Sequence, residues 1–138
     1  MKQNQPVSKL MADDPITVHE KQKLSDVRKL ITEHGVHHVP VVSGKKLIGL
    51  ISATDLLRVG YGDISKIDAR AFDTALDTMT IRETMVEDVA TIQHDDPIKL
   101  AADLLSTGRF HSLPVLDGED LVGVVTSTDL IRFLRELY

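Results

Sequence analysis

Apolar positions along the chain follow two periods that alternate, and the alternation happens twice. Leu24, Val27, Leu30 and Ile31 recur at spacings of three and four, as do Ile98, Ala101, Leu104 and Leu105. That spacing places them on one helical face and predicts an amphipathic helix in each stretch. Gly35 or Gly108 punctuates the end, and Val39-Pro40-Val41-Val42 and Leu113-Pro114-Val115-Leu116 then read as short buried strands with an edge proline. Ser43-Gly44 and Asp117-Gly118 supply turn chemistry, so Leu47 to Ile51 and Leu121 to Val125 return as the second strand of a hairpin. Thr17-Val18 and Thr91-Ile92 are β-formers that predict a short strand ahead of each helix. A final helix begins near Thr54 and Thr128, and the lead-in segments VSKLM and IRETM form a short helix before the rest. Each half therefore reads β-α-β-β-α.

The two halves are copies. Laying GLISATDL (Gly49 to Leu56) over GVVTSTDL (Gly123 to Leu130) sets a shift of 74, which runs back without a gap to Val7 over Ile81 and makes 14 of 52 aligned positions identical. The domain division is repeat 1 over 7–60, a connector over 61–80 and repeat 2 over 81–138. The connector opens on a Tyr61-Gly62 turn signal and continues as a short helix from Ala69. Roughly 50 residues with one apolar sheet face cannot bury that face alone, so the expected fold is α/β (α+β), with the two repeats packed about a pseudo-twofold axis.

Composition narrows the function. A net charge of −5 lacks the concentrated basic face that nucleic-acid binding needs. The absence of cysteine removes disulfides and thiolate zinc sites and fits a reducing cytoplasm. The first residues lack the apolar core of a signal peptide, and no stretch approaches the roughly 20 apolar residues of a membrane span.

The chemistry concentrates at the strand-to-helix junctions, Gly49 to Asp55 and Gly123 to Asp129. A glycine inside a strand permits close approach by another backbone or a flat ligand. The hydroxyls of Ser52 and Thr126 stand where a helix N-terminus offers amide donors to phosphate. Asp55 and Asp129 can each accept two hydrogen bonds, which suits the adjacent hydroxyls of a ribose. The same Ser/Thr-x-x-Asp spacing is also close to a capping box, in which hydroxyl and carboxylate serve only the helix end. Capping by itself calls for neither the glycine nor Thr54 and Thr128, and the duplication favours a ligand. His37 and His111 share a repeat position just ahead of a strand and suit phosphate contacts. His38 falls on Ser112 and has no carboxylate or thiolate spacing around it, so no metal is expected. Arg58 and Arg132, three residues after the aspartates, read as helix-face salt bridges, and Met11 and Met85 as core. No nucleophile elbow, Walker-type loop or His-Glu-x-x-His occurs, so no enzyme is expected.

Both units resemble CBS (cystathionine beta-synthase) domains, on VSKLM and IRETM, GVHHVPVV and RFHSLPVL, and GLISATD and GVVTSTD. The resemblance implies a regulatory, non-catalytic module that binds an adenosine-containing ligand (AMP, ADP, ATP, a NAD-type dinucleotide or S-adenosylmethionine) in clefts between two repeats, with no required cofactor. It implies a homodimer acting on an effector protein; the alternative is a constitutive dimerisation scaffold with vestigial sites. Residue by residue, it gives Asp55 and Asp129 to ribose hydroxyls and Ser52, Thr54, Thr126 and Thr128 to ribose or phosphate. Ile16 and Ala90 would line the adenine and Val36 and Phe110 sandwich it. In some members the position of His37 and His111 faces phosphate. Arginines common beside it are replaced here by His38 and Ser112, which weakens the case for a triphosphate.

Overall fold

The computed structural model describes residues 5–60 and 68–138, so the Tyr61-Gly62 turn signal lies outside the described residues. Contacts divide the chain into two compact units: Ile16–Val89, the first-repeat unit, and Met1–Pro15 with Ala90–Tyr138, the second-repeat unit.

In the first-repeat unit, β1 (Val18–His19) lies parallel to β2 (His38–Ser43), which runs antiparallel to β3 (Lys46–Ser52). The short strand sits one residue later than Thr17-Val18, because the parallel register opens at Val18 opposite Val41. Gly44, at φ 63°, takes the left-handed position of the two-residue turn between β2 and β3, where a Cβ would be strained. The helix α1 (Leu24–His34) buries Leu24, Val27 and Ile31, the face that the spacing predicts. Val39, Pro40, Val41 and Val42 are all buried, so β2 is covered on both faces.

The proline corrects an expectation. Pro40 stands in the middle strand of the three, not at an edge. It is tolerated because its partner Leu50 exchanges both backbone hydrogen bonds with Val86 instead, at 2.9 Å each. Pro40 and Leu50 are thus a pair without mutual hydrogen bonds, and the missing N–H leaves no gap in that ladder. Pro114 repeats the arrangement, since Val124 exchanges its bonds with Ala12 at 2.9 and 3.0 Å.

The helix α2 (Ala53–Gly60) follows β3, and α3 (Ala69–Leu76) covers both α1 and α2. Phe72 and Leu76 of α3 are buried in the core, and a Cβ on Gly60 would fall on the Phe72 ring. Polar contacts pin the same helix. Asp73 takes Nε and Nη2 of Arg28 at 2.5 and 3.0 Å, and Asp77 accepts the Ser25 N–H and hydroxyl at 3.1 and 2.9 Å. The second-repeat unit repeats the plan with β4 (Ile92–Gln93) parallel to β5 (Ser112–Asp117), β5 antiparallel to β6 (Asp120–Thr126), and helices α5 (Ile98–Leu105) and α6 (Ser127–Glu136).

Each unit is completed by the lead-in segment of the other repeat. Residues 81–85, with α4 (Ile81–Thr84), belong to the first-repeat unit, and a tight turn at Val7–Lys9 belongs to the second. Met85 lies over Gly49, whose added Cβ would stand 2.6 Å from the Met85 sulfur and 3.0 Å from the Val86 carbonyl. Met11 lies over Gly123 in the same way, at 2.5 Å from the sulfur and 2.7 Å from the Ala12 carbonyl. The strand glycines therefore admit another segment of backbone. In the first-repeat unit the lead-in is also latched by charge: Arg82 donates to Glu20 at 2.8 Å, and the Ser43 hydroxyl donates to the same carboxylate at 3.1 Å. Arg82 first, and Ser43 with it, holds the Glu20 carboxyl below its ordinary range; the Thr80 backbone N–H does the same for Glu83.

Two expectations follow. Gly49→Ala and Gly123→Ala each destabilise by about 1–3 kcal/mol through overpacking. Met85→Ala relieves most of the first loss, since the backbone atom that remains, the Val86 carbonyl, stands 3.0 Å from the added Cβ against 2.7 Å for the Ala12 carbonyl at Gly123. Met11→Ala relieves little of the second, because the Ala12 carbonyl is backbone; chemical denaturation of the double variants measures both. Second, a carboxyl depressed in the folded state stabilises above its unfolded pKa and loses that contribution as pH falls through the folded value. Glu20→Gln therefore flattens the acid limb of melting temperature against pH, and Arg82→Met moves its onset towards the ordinary carboxylate range.

Candidate functional site

Each junction is built by a strand that ends where a helix begins. Ser52 closes β3 and α2 starts at the next residue; Thr126 closes β6 and α6 starts at the next. The Ser52 N–H donates to Asp55 Oδ2 at 2.9 Å and the Asp55 N–H to Ser52 Oγ at 3.1 Å. Thr126 and Asp129 do the same at 2.8 and 3.1 Å. Of the two readings of this spacing, the capping box is realised in both copies. The outer oxygen, Oδ1, faces an arginine three residues on: Arg58 at 3.2 Å from Asp55, Arg132 at 3.5 Å from Asp129. The salt bridges expected at these positions are present, the first as a hydrogen bond and the second at the longer distance. The arginine side chains are 73% and 62% exposed, the aspartates 10% and 16%.

The histidines join the junctions through their backbones. The Ala53 N–H donates to the His37 carbonyl at 2.9 Å and the Ser127 N–H to the His111 carbonyl at 3.0 Å. Both residues are exposed, beside the first turn of the following helix. Of the opening amides of α2, those of Ala53 and Asp55 are already used, so fewer donors face outward than a bare helix N-terminus would offer. Thr54 and Thr128 are exposed in the first helical turn. Val36 and Phe110, next to the histidines, are half-buried against their units' cores. Ile16 and Ala90 are half-buried two residues ahead of β1 and β4, on the far side of the middle strand from the junction. Each unit thus gathers one full set: Ser52, Thr54, Asp55, His37, Val36 and Ile16 in the first, and Thr126, Thr128, Asp129, His111, Phe110 and Ala90 in the second.

Sequence reasoning missed a cavity of about 150 Å³ in the second-repeat unit, lined by Lys9, Leu10, Asp129, Arg132, Phe133 and Glu136. Its α6 residues fall at helical spacing from Asp129, which was a legible signal. Lys9 comes from the lead-in segment, whose docking against α6 was not. Among the described residues no group of three or more His, Asp or Glu is arranged to hold a metal ion. Among the described residues, too, no helix is long and apolar enough to cross a membrane.

Comparison with known proteins places these features. The family model of the CBS domain matches residues 7–62 and 81–136. A homoserine O-acetyltransferase of Methanohalobium evestigatum is 31% identical over 94% of the chain, which covers 24% of that protein. Such curated relatives are much longer, and the chain spans about a quarter of their length. A putative acetoin utilization protein (AcuB) from Vibrio cholerae is 27% identical and superposes with a TM-score of 0.76 over 96% of this chain and 91% of that one. The CBS domain pair of protein MJ0100, solved in complex with 5′-methylthioadenosine and S-adenosyl-L-methionine, is 28% identical with a TM-score of 0.71 over 96% and 98% of the two chains.

The cap assignment has a thermodynamic consequence. Ser52→Ala and Thr126→Ala each cost about 1 kcal/mol in urea unfolding, whereas Arg58→Met and Arg132→Met cost less than about 0.5 kcal/mol, as exposed helix pairs do. Equal losses from the two sets would contradict the division of labour between Oδ2 and Oδ1.

Proposed function

Because the chain belongs to the CBS domain family over both of its repeats, we propose that it is a non-enzymatic regulatory module that binds an adenosine-containing ligand through the junction sets of its two units. The observation that carries the reading is the division of each aspartate between two tasks. Oδ2 is fixed by the cap, so the carboxylate is already oriented. Among the described contacts, Oδ1 meets only an exposed arginine, through a hydrogen bond of 3.2 Å at Asp55 and at 3.5 Å at Asp129. Ribose hydroxyls can replace that arginine at small cost, since an exposed ion pair is worth about 0–1 kcal/mol and a hydrogen bond to a charged group about 1.5–3 kcal/mol.

The remaining roles follow from position. The hydroxyls of Ser52, Thr54, Thr126 and Thr128 meet ribose or phosphate, and the imidazoles of His37 and His111 donate to phosphate. Ile16 and Ala90 line the adenine, and Val36 and Phe110 pack on its faces. Ile16 precedes a strand two places across the sheet from Ser52, about 10 Å at ordinary strand spacing, a separation on the scale of an adenosine. The complex of the MJ0100 pair with two adenosyl compounds supports the ligand class. On this reading the module acts in the cytoplasm as a homodimer, in keeping with a cysteine-free chain, and passes its signal to an effector protein by a ligand-dependent change at a contact surface.

Calorimetric titration with AMP, ATP, NADH and S-adenosylmethionine tests it. At least one binds, and Asp55→Ala or Asp129→Ala weakens it by about tenfold or more. If none binds below millimolar, the constitutive scaffold replaces this reading. If binding survives both substitutions, the residue assignment is wrong.

A further inference from the structure

The cavity beside Asp129 has a composition that the junction does not explain. Its wall carries two cations, Lys9 and Arg132, two carboxylates, Asp129 and Glu136, and two apolar side chains, Leu10 and Phe133. Among the described residues Lys9 has no ion-pair partner, and Arg132 reaches Asp129 only at 3.5 Å. At about 150 Å³ the space falls below the roughly 300 Å³ at which small-molecule pockets begin. It cannot take a whole nucleoside, and suits one arm of a ligand anchored beside it. From Asp129 to Glu136 the wall follows α6 for about 10 Å, and the anchor proposed for the ribose stands at its start.

The charges decide which arm fits. A phosphate dianion would gain Lys9 and Arg132 but would face Asp129 and Glu136 as well. A zwitterion eases that conflict: its carboxylate carries one negative charge to the cations instead of two, its ammonium answers Glu136, and its methylenes lie on Leu10 and Phe133. We propose that this cavity is a tail subsite of the second-repeat unit, which selects an adenosyl compound carrying a zwitterionic amino-acid arm on its 5′ position. The inference rests on the ribose role given to Asp129 above. It applies to one unit only. At the repeat positions of Lys9, Leu10 and Phe133 the first-repeat unit has Glu83, Thr84 and Val59, and Glu83 is spent on the Thr80 cap.

The test compares S-adenosylhomocysteine, which has the arm, with 5′-methylthioadenosine, which lacks it, and with AMP, by calorimetry on the whole chain near neutral pH. S-adenosylhomocysteine binds about tenfold tighter than 5′-methylthioadenosine, and Lys9→Met and Glu136→Gln each shrink that ratio to about threefold or less. Equal affinities of the two compounds in the unaltered protein, or a ratio that both variants leave intact, overturn the subsite while the nucleoside site stands. AMP binding tighter than S-adenosylhomocysteine, with the advantage lost in Lys9→Met alone, overturns it in favour of a phosphate cavity. If no adenosine compound binds, the failure lies in the proposed function itself.

Discussion

The structure depends on a backbone position with no Cβ, halfway along the returning strand of each repeat. Gly49 and Gly123 let a methionine sulfur and the next residue's carbonyl come closer than any side chain would allow. That approach puts Val86 and Ala12 within reach of Leu50 and Val124, and the four hydrogen bonds that follow give the returning strand its neighbour. Those same bonds turn Leu50 and Val124 away from the middle strand, so a proline is harmless opposite each. Ile81, Met85 and Val7 then enter cores they could not otherwise reach, each worth about 1.5–3 kcal/mol of apolar burial. One missing methyl group therefore sets the docking of the lead-in, the place of the proline and part of the core.

What could be read in advance divides along the same line. The helical face of α1, the hairpin turns at Gly44 and Gly118 and the strand-to-helix junctions are local, and each announces itself within about ten residues. The lead-in segments also announce themselves, as repeats, but self-similarity attaches VSKLM to its own repeat. The structure docks it on strand β6, more than a hundred residues away, and no period along the chain encodes that pairing. The proline shows the same limit. Sequence says that Pro40 cannot donate a hydrogen bond, but not which side of the strand its nitrogen faces. The glycine of the junction was open to two uses, and the structure assigns it to methionine, so its duplication reflects a duplicated packing problem. Thr54, Thr128, His37 and His111 keep no such structural use for their side chains among the described contacts.

The two units share a plan and differ in their fastenings. Glu20, Ser43 and Arg82 form a three-part latch in the first-repeat unit; the repeat-related residues are His94, Asp117 and Ser8. His94 there faces Asp117 at 3.6 Å, and Ser8 contributes its backbone N–H to the His94 carbonyl. Among the described residues, only the first-repeat unit has a helix like α3, which covers α1 and α2 through Phe72 and is tied to α1 by Asp73 and by Asp77 at its end. In the second, Leu134 stands at the repeat position of Gly60 and is exposed. Symmetry of sequence thus coexists with asymmetry of surface, and the charge lining of the cavity beside Asp129 belongs to that asymmetry.

Helix capping and ligand binding are often set against each other as explanations of an aspartate in a first turn, but here they are compatible. A carboxylate has two oxygens, and the cap uses one. By fixing Oδ2 against the Ser52 or Thr126 amide, the fold removes the rotamer freedom that a free aspartate would lose on binding, about 0.5–1.5 kcal/mol for an immobilised side chain. The arginine on Oδ1 keeps that oxygen's charge compensated until something better arrives, and its exposure makes it easy to displace. On the proposed reading the cap prepares the carboxylate for a sugar hydroxyl, and one residue both holds the helix end and offers an oriented oxygen to the ligand.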